Sequence, residues 1–187
     1  MSFPTTPSQT VGPFFAIGLL WKGGPLAVSE DVPGAVRIQG TVYDGAGTPM
    51  IDALIETWQA DPEGRLADLH GHGGPSELAG FRGFARCGCE EGDGSFEIRT
   101  AKPGALPGPD GSRQAPHIDV SVFARGMLHR CVTRIYFADE HAANASDPVL
   151  RSVPAERRHT LLAAPTDGGY RFDIHLQGLN ETVFFAL

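Results

Sequence analysis

The 187-residue chain has little that points to a membrane, a nucleic acid or an oxidising compartment. No apolar run approaches the ~18 residues that span a bilayer. The 15 basic residues are outnumbered by 22 acidic ones, giving a formal charge of −7. No cation cluster matches what a phosphate backbone requires, so neither nucleic acid nor membrane is expected as a partner. Cysteine is scarce and odd in number (Cys87, Cys89 and Cys131), which argues against a disulfide framework and suits a cytoplasmic protein. The first residues carry no basic segment followed by an apolar stretch, in keeping with that expectation. Tyrosine is also scarce, with Tyr43, Tyr136 and Tyr170 the full set.

Glycine (24) and proline (15) are abundant instead, and long helical patterns are few. Short alternating runs between turn signals predict an all-β sandwich with short peripheral helices, in one domain over residues 1–187 with an N-terminal arm. Strands are expected around 36–42, 53–59, 84–89, 95–100, 118–125, 132–137, 170–177 and 182–185. Glu91-Gly92-Asp93-Gly94 reads as a hairpin turn between the third and fourth of these, because Asp and Gly tolerate positive φ. Segments 139–144 and 154–164 read as helical, each covering a sheet edge. Segments 22–33, 66–80 and 105–114 are the least regular, and loops on a β scaffold are where binding groups tend to sit.

The strand at His117 is the best site candidate on residues alone. Period-two geometry puts His117, Asp119, Ser121 and Phe123 on one face, and Ile118, Val120 and Val122 on the core face. His117 and Asp119 can hold a metal together or form a plain hydrogen-bonded pair. Two ligands are too few for a tight transition-metal site, which favours the pair. His70, His72, Cys87 and Cys89 offer zinc-competent atoms, but the one-residue spacing within each pair is tighter than structural zinc sites use. The favoured reading places these thiols on a strand.

Several motifs recur in order along the chain: 6–14 (Thr-Pro-Ser-Gln-Thr-Val-Gly-Pro-Phe), 40–45, 56–61, 99–104 (Arg-Thr-Ala-Lys-Pro-Gly), 115–118 (Ala-Pro-His-Ile), 134–137 and 170–174. Together they resemble the intradiol catechol dioxygenases, which hold ferric iron with two tyrosines and two histidines. The arm and the ending 177–185 resemble the α chains of the protocatechuate-cleaving, two-chain branch of that family. In the family pattern Leu66 and Leu106 stand at the tyrosine positions and Asp119 at the second histidine. His117 alone matches. Aliphatic carbon has no lone pair to give ferric iron.

The resemblance therefore implies a chain without its own metal. Fe(III) is expected on a homologous β chain, within a larger αβ oligomer. The implied reaction is O2-dependent ring cleavage of protocatechuate (3,4-dihydroxybenzoate) to 3-carboxy-cis,cis-muconate. Carried over by motif, Thr10, Gly12, Pro13 and Arg125 are the expected substrate-binding residues, with no catalytic residue in this chain alone. Arg125 also has a physical case, since a guanidinium binds a carboxylate through two parallel hydrogen bonds. Arg130, Arg134 and His129 lie close by in sequence and add positive charge. Two rivals stay open: a non-catalytic β-sandwich binding or structural module, and a stand-alone enzyme using an atypical His117–Asp119 metal site.

Overall fold

Turn residues cut this chain into short runs that are too brief for helices and too apolar to stay exposed. The computed structural model describes residues 9–10, 12, 14–29, 31–66, 78–89, 93–108 and 111–186. Eleven strands follow in order: β1 (Val36–Tyr43), β2 (Leu54–Gln59), β3 (Phe84–Gly88), β4 (Ser95–Thr100), β5 (Leu106–Pro107), β6 (Arg113–Gln114), β7 (His117–Phe123), β8 (Cys131–Phe137), β9 (Leu162–Thr166), β10 (Gly169–Arg171) and β11 (Ile174–His175). Three short helices accompany them: α1 (Phe15–Gly18), α2 (His141–Ser146) and α3 (Pro148–Ser152), with a 3-10 helix over Ala155–Leu161. Among the described residues, no helix is long and apolar enough to cross a membrane.

β1 pairs antiparallel with β4 on one side, and in parallel with β10 and β11 on the other. β9 joins the halves of the sheet, antiparallel to β10 and parallel to β8. From β8 the order continues antiparallel through β7, β2 and β3. The sheet curls so that both halves feed one core. Ile38, Val42, Phe96 and Ile98 come from one half, and Ile55, Ile118, Val120, Val122 and Ile135 from the other. Gly40 is needed for this closeness, since a Cβ there would lie 1.8 Å from the Phe172 carbonyl oxygen.

β3 and β4 lie at the two ends of the sheet, and the segment 24–27 fills the seam between them. The Arg86 amide donates to Gly24 O and the Arg82 amide to Ala27 O, on the β3 side. On the β4 side the Arg99 amide donates to Pro25 O, and the Ala27 amide to Arg99 O. Backbone groups on both flanks are thus satisfied without direct strand pairing.

Several expectations need correction. Strands β3 and β4 form no hairpin with each other: β3 pairs with β2 and β4 with β1. The Asp93 carboxylate accepts from the Ser95 amide and Gly94 takes a φ of 65°, so a turn does form, but it passes between the halves of the sheet. Glu91 and Gly92 lie outside the described residues. The strand expected over 170–177 is broken at Phe172–Asp173 into β10 and β11. Segment 182–185 is not a regular strand, although the Phe185 amide donates to Val132 O beside β8.

The helical segment expected over 154–164 ends at Leu161, and the rest becomes β9. Its apolar run meets β8 in register, which outweighs helix propensity. α3 was not foreseen. It is built on Asp147, which accepts from the Leu150 amide and precedes Pro148 at the first helical position. The helices cover a face, not an edge. Leu150, Val153 and Leu161 pack with Tyr136 and Ala115 on the outer side of β8, leaving that strand buried on both faces.

Cys87 sits in the core on β3 and Cys89 directly follows that strand. Burial raises both thiols, Cys89 to about 12, with nearby Asp52 adding to the effect there. His70 and His72 lie outside the described residues. A folded-state pKa above the unfolded value means that the folded chain keeps protons which the unfolded chain loses. Stability should thus be intact below about pH 8.5 and fall as pH rises above it. At pH 8, thiol titration with an aromatic disulfide reagent should be slow for the native chain and rapid after unfolding in urea.

Candidate functional site

β7 carries His117 and Asp119 and leads to Arg125, and its two ends face different surroundings. At the His117 end, two loops are clamped together by buried Asp61. One Asp61 carboxylate oxygen accepts from the Glu63 and Arg65 amides, and the other from Arg65 Nε at 3.1 Å. The Asp61 carbonyl oxygen accepts the amides of Gly64 and Gly104, both within 2.9 Å. This docks the segment before Leu66 onto the segment before Leu106. Leu66 bridges to Ala60 and is exposed; Leu106 lies on β5, opposite Gln114 of β6. Lys102 fixes the approach to Leu106. Its ammonium contacts Asp139 (2.9 Å) and Glu140 (2.6 Å), over the faces of Phe137 and Tyr170. Partial burial opposes that charge, but hydrogen bonds to Glu140 and Asp139 outweigh it and raise the Lys102 pKa.

His117 is buried and its Nδ1 lies 2.7 Å from the Ala115 carbonyl oxygen. That contact assigns the ring proton to Nδ1 and leaves Nε2 basic. Burial, then the charge of Arg134, lowers its pKa and keeps the ring neutral. Asp119 does not pair with His117. It accepts from Arg134 Nε at 2.8 Å, its cross-strand neighbour on β8. Arg134 Nη1 also donates to Gln114 Oε1 at 2.8 Å and approaches the Tyr136 hydroxyl at 3.4 Å. Tyr136 in turn donates to Asp147, whose other oxygen accepts the Ala115 amide. Burial works against the Arg134 charge, but the Tyr136 hydrogen bond and the Asp119 carboxylate more than compensate and raise its pKa.

This donor set does not fit ferric iron. Leu66 and Leu106 offer no lone pair, Asp119 is already neutralised by a guanidinium, and His117 is left as a single nitrogen donor. Among the described residues, no group of three or more His, Cys, Asp or Glu side chains is arranged to hold a metal.

The other end of β7 gathers expected substrate-binding residues. The Gly126 amide donates to Thr10 Oγ1 at 2.9 Å, which brings the arm beside Arg125. Arg125 is exposed, with Nε 3.2 Å from Asp52. Both Asp52 carboxylate oxygens are buried without a hydrogen-bond donor, so this ion pair is their visible compensation. Gly12 is exposed with open space around it; Pro13 lies outside the described residues. A cleft of about 560 Å³ adjoins this end, between Phe123, Met127, His129, Arg130 and Phe185. The sequence cluster of Arg125, Arg130 and Arg134 is therefore split. Arg134 serves the His117 end, and the other two belong to the far end. Six residue steps of β7 at ~3.3 Å separate the ends by about 20 Å.

A family profile described as "Dioxygenase" matches residues 14–178. The chain belongs to the intradiol dioxygenase family. Within it, this chain is 43% identical to the protocatechuate 3,4-dioxygenase alpha chain of Burkholderia cepacia, over 96% of both chains. It is 33% identical to the beta chain of the enzyme from the same organism, over 79% of this chain and 66% of that one. The 3-chlorocatechol 1,2-dioxygenase of Rhodococcus opacus 1CP shares the fold, with a TM-score of 0.60 and 20% identity over 80% of this chain and 62% of that one. Intradiol dioxygenases are non-haem iron enzymes, so the missing donors are a departure within the family.

Asp61, Asp52 and the central place of Arg134 escaped sequence reasoning. Asp61-Pro62-Glu63-Gly64 is a legible turn signal; Asp52 leaves none, because its partner is 73 residues away. Gly104 allows the two loops to meet, since a Cβ there would lie 2.3 Å from Pro62 O and 2.6 Å from Gly64 N. Gly104→Ala should therefore destabilise the chain by about 1–3 kcal/mol in urea unfolding, the usual cost of overpacking.

Proposed function

We propose that this chain is the iron-free α subunit of a protocatechuate 3,4-dioxygenase and completes a substrate pocket whose ferric iron is held by a homologous β chain. The observation that carries this is the separation along β7. Thr10, held by the Gly126 amide, and the adjacent Arg125 lie at one end, about 20 Å from the place where the family pattern puts the metal. Side chains so placed cannot serve a reacting centre at His117, and they lie at the surface, open to another molecule. The relationship to both alpha and beta chains of one enzyme supports a paired assembly.

The chain's part is to bind and orient. Arg125 offers a fork of donors to the carboxylate of 3,4-dihydroxybenzoate, with Asp52 holding the guanidinium in place until then. Thr10 fixes the arm against Gly126, and Gly12 allows backbone to approach the aromatic ring closely. When bound in the partner, iron supplies the polarisation that readies a catecholate for dioxygen. Covering the pocket excludes water and holds the ring in one orientation, which by itself contributes to rate. The acidic chain and its lack of a transmembrane helix among the described residues accord with a cytoplasmic enzyme.

Purified alone, the chain should be colourless and without ring-cleaving activity, whereas co-expression with a β chain should give a coloured, iron-containing enzyme. Protocatechuate turnover by the lone chain would refute the division of labour and favour the stand-alone reading. In the assembled enzyme, Arg125→Ala should reduce kcat/KM for protocatechuate by about 30-fold or more, the loss expected when a desolvated anion is left unpaired. Catechol, which lacks the carboxylate, should be affected far less. Equal losses on both substrates would remove Arg125 from this role.

A further inference from the structure

A charge of the protein's own lies beside the positions that the family pattern gives to metal ligands. Arg134 reaches Asp119, at the second-histidine position, with Nε at 2.8 Å. It reaches Gln114, the strand partner of Leu106, with Nη1 at 2.8 Å. The same Nη1 lies 3.4 Å from the hydroxyl of Tyr136, whose residue pairs across the strands with His117 and whose ring tilts against that imidazole. One guanidinium thus ties the strand that carries His117 and Asp119 to the strand paired with Leu106, and to Tyr136 on its own strand. It is four-fifths buried and its charge is matched by Asp119.

We propose that Arg134 is a resident cation that replaces the metal structurally in this chain, cross-linking the segments that carry Leu106, His117 and Asp119 and keeping metal ions out by its charge. A bound cation gathers ligand segments by attracting electron-rich groups from each, and it is lost to chelators. A guanidinium gathers them through directed donors and cannot leave. A metal ion approaching His117 and Asp119 would meet a fixed positive charge that already holds the carboxylate it needs. The missing tyrosinates therefore belong to a wider rearrangement: the carboxylate that replaced a neutral imidazole is the counter-ion of this arginine. The inference rests on family membership alone. Ring cleavage by the lone chain would sink the subunit reading and metal exclusion together, whereas the Arg134 cross-link is read from unfolding alone and stands or falls separately.

The test uses the full chain as Arg134→Gln, Asp119→Asn, the double variant and Arg134→Lys. In urea unfolding, each of the first two should lower the folding equilibrium constant by about tenfold, and the double variant should lose much less than their product. Arg134→Lys keeps the charge and should retain more stability than Arg134→Gln. Losses that simply multiply, or equal losses in the Lys and Gln variants, overturn the cross-link. Co(II) is the probe for exclusion. The natural chain should show neither thermal stabilisation nor visible absorption with Co(II). Arg134→Gln, which frees Asp119 beside His117, should gain both. Co(II) bound equally by the two chains, or by neither, overturns exclusion by charge. If Arg134→Gln does not fold while Arg134→Lys does, the structural role of the cation is supported, and Co(II) is then tested on Arg134→Met, where binding supports exclusion by charge and its absence overturns it.

Discussion

A single strand of fixed length keeps the two functional ends of this molecule apart. β7 is paired on both sides, by β2 and β8, and its Ile118, Val120 and Val122 are locked in the core. A one-residue slip would turn all three into solvent and bring His117 and Asp119 inward, so register is strongly specified. Because the strand can neither shorten nor slide, Arg125 and His117 are held at a fixed separation. The chain could lose one end's chemistry without disturbing the other, and this is the pattern its residues show.

The charge arrangement at the two ends follows the same division. At the His117 end three cations are answered from within the chain: Arg134 by Asp119, Lys102 by Asp139 and Glu140, Arg65 by Asp61 and Glu63. At the other end the pairing is looser. Asp52 has its ion pair with Arg125 but no hydrogen bond, and Phe14, Ile17, Ile51 and Leu128 are exposed. Closed electrostatics mark a structural region, while an open guanidinium among exposed apolar side chains marks a surface that still awaits its complement.

Strand positions were legible in the sequence because alternation on β1, β2, β7 and β8 reports burial directly. Partner choice was not. The turn at Asp93-Gly94 looks like a hairpin locally, but β3 and β4 bury more by joining opposite halves of the sheet. β9 was hidden for a related reason: Leu162-Ala163-Ala164 has helical propensity, and only the neighbouring edge of β8 makes it a strand. Loss of the metal could be read from Leu66 and Leu106, since donor chemistry is a property of residue type. What filled the vacancy could not, because Arg134 sits on another strand and sequence distance says nothing about register. Spacing alone pairs His117 with Asp119, but the cross-strand Arg134 holds Asp119 because opposite charges facing each other across a sheet outweigh a contact along it.

The seam at residues 24–27 has a practical side. Those residues close the sheet, and the arm that holds Thr10 beside Gly126 is the same stretch of chain a few residues upstream. Pulling on the arm is therefore pulling on a zipper: tension from a docked neighbour passes through α1 to the hydrogen bonds that join Arg86 and Arg99 to their shared filler. A deletion that reaches Gly24 removes a wall of the building along with its porch.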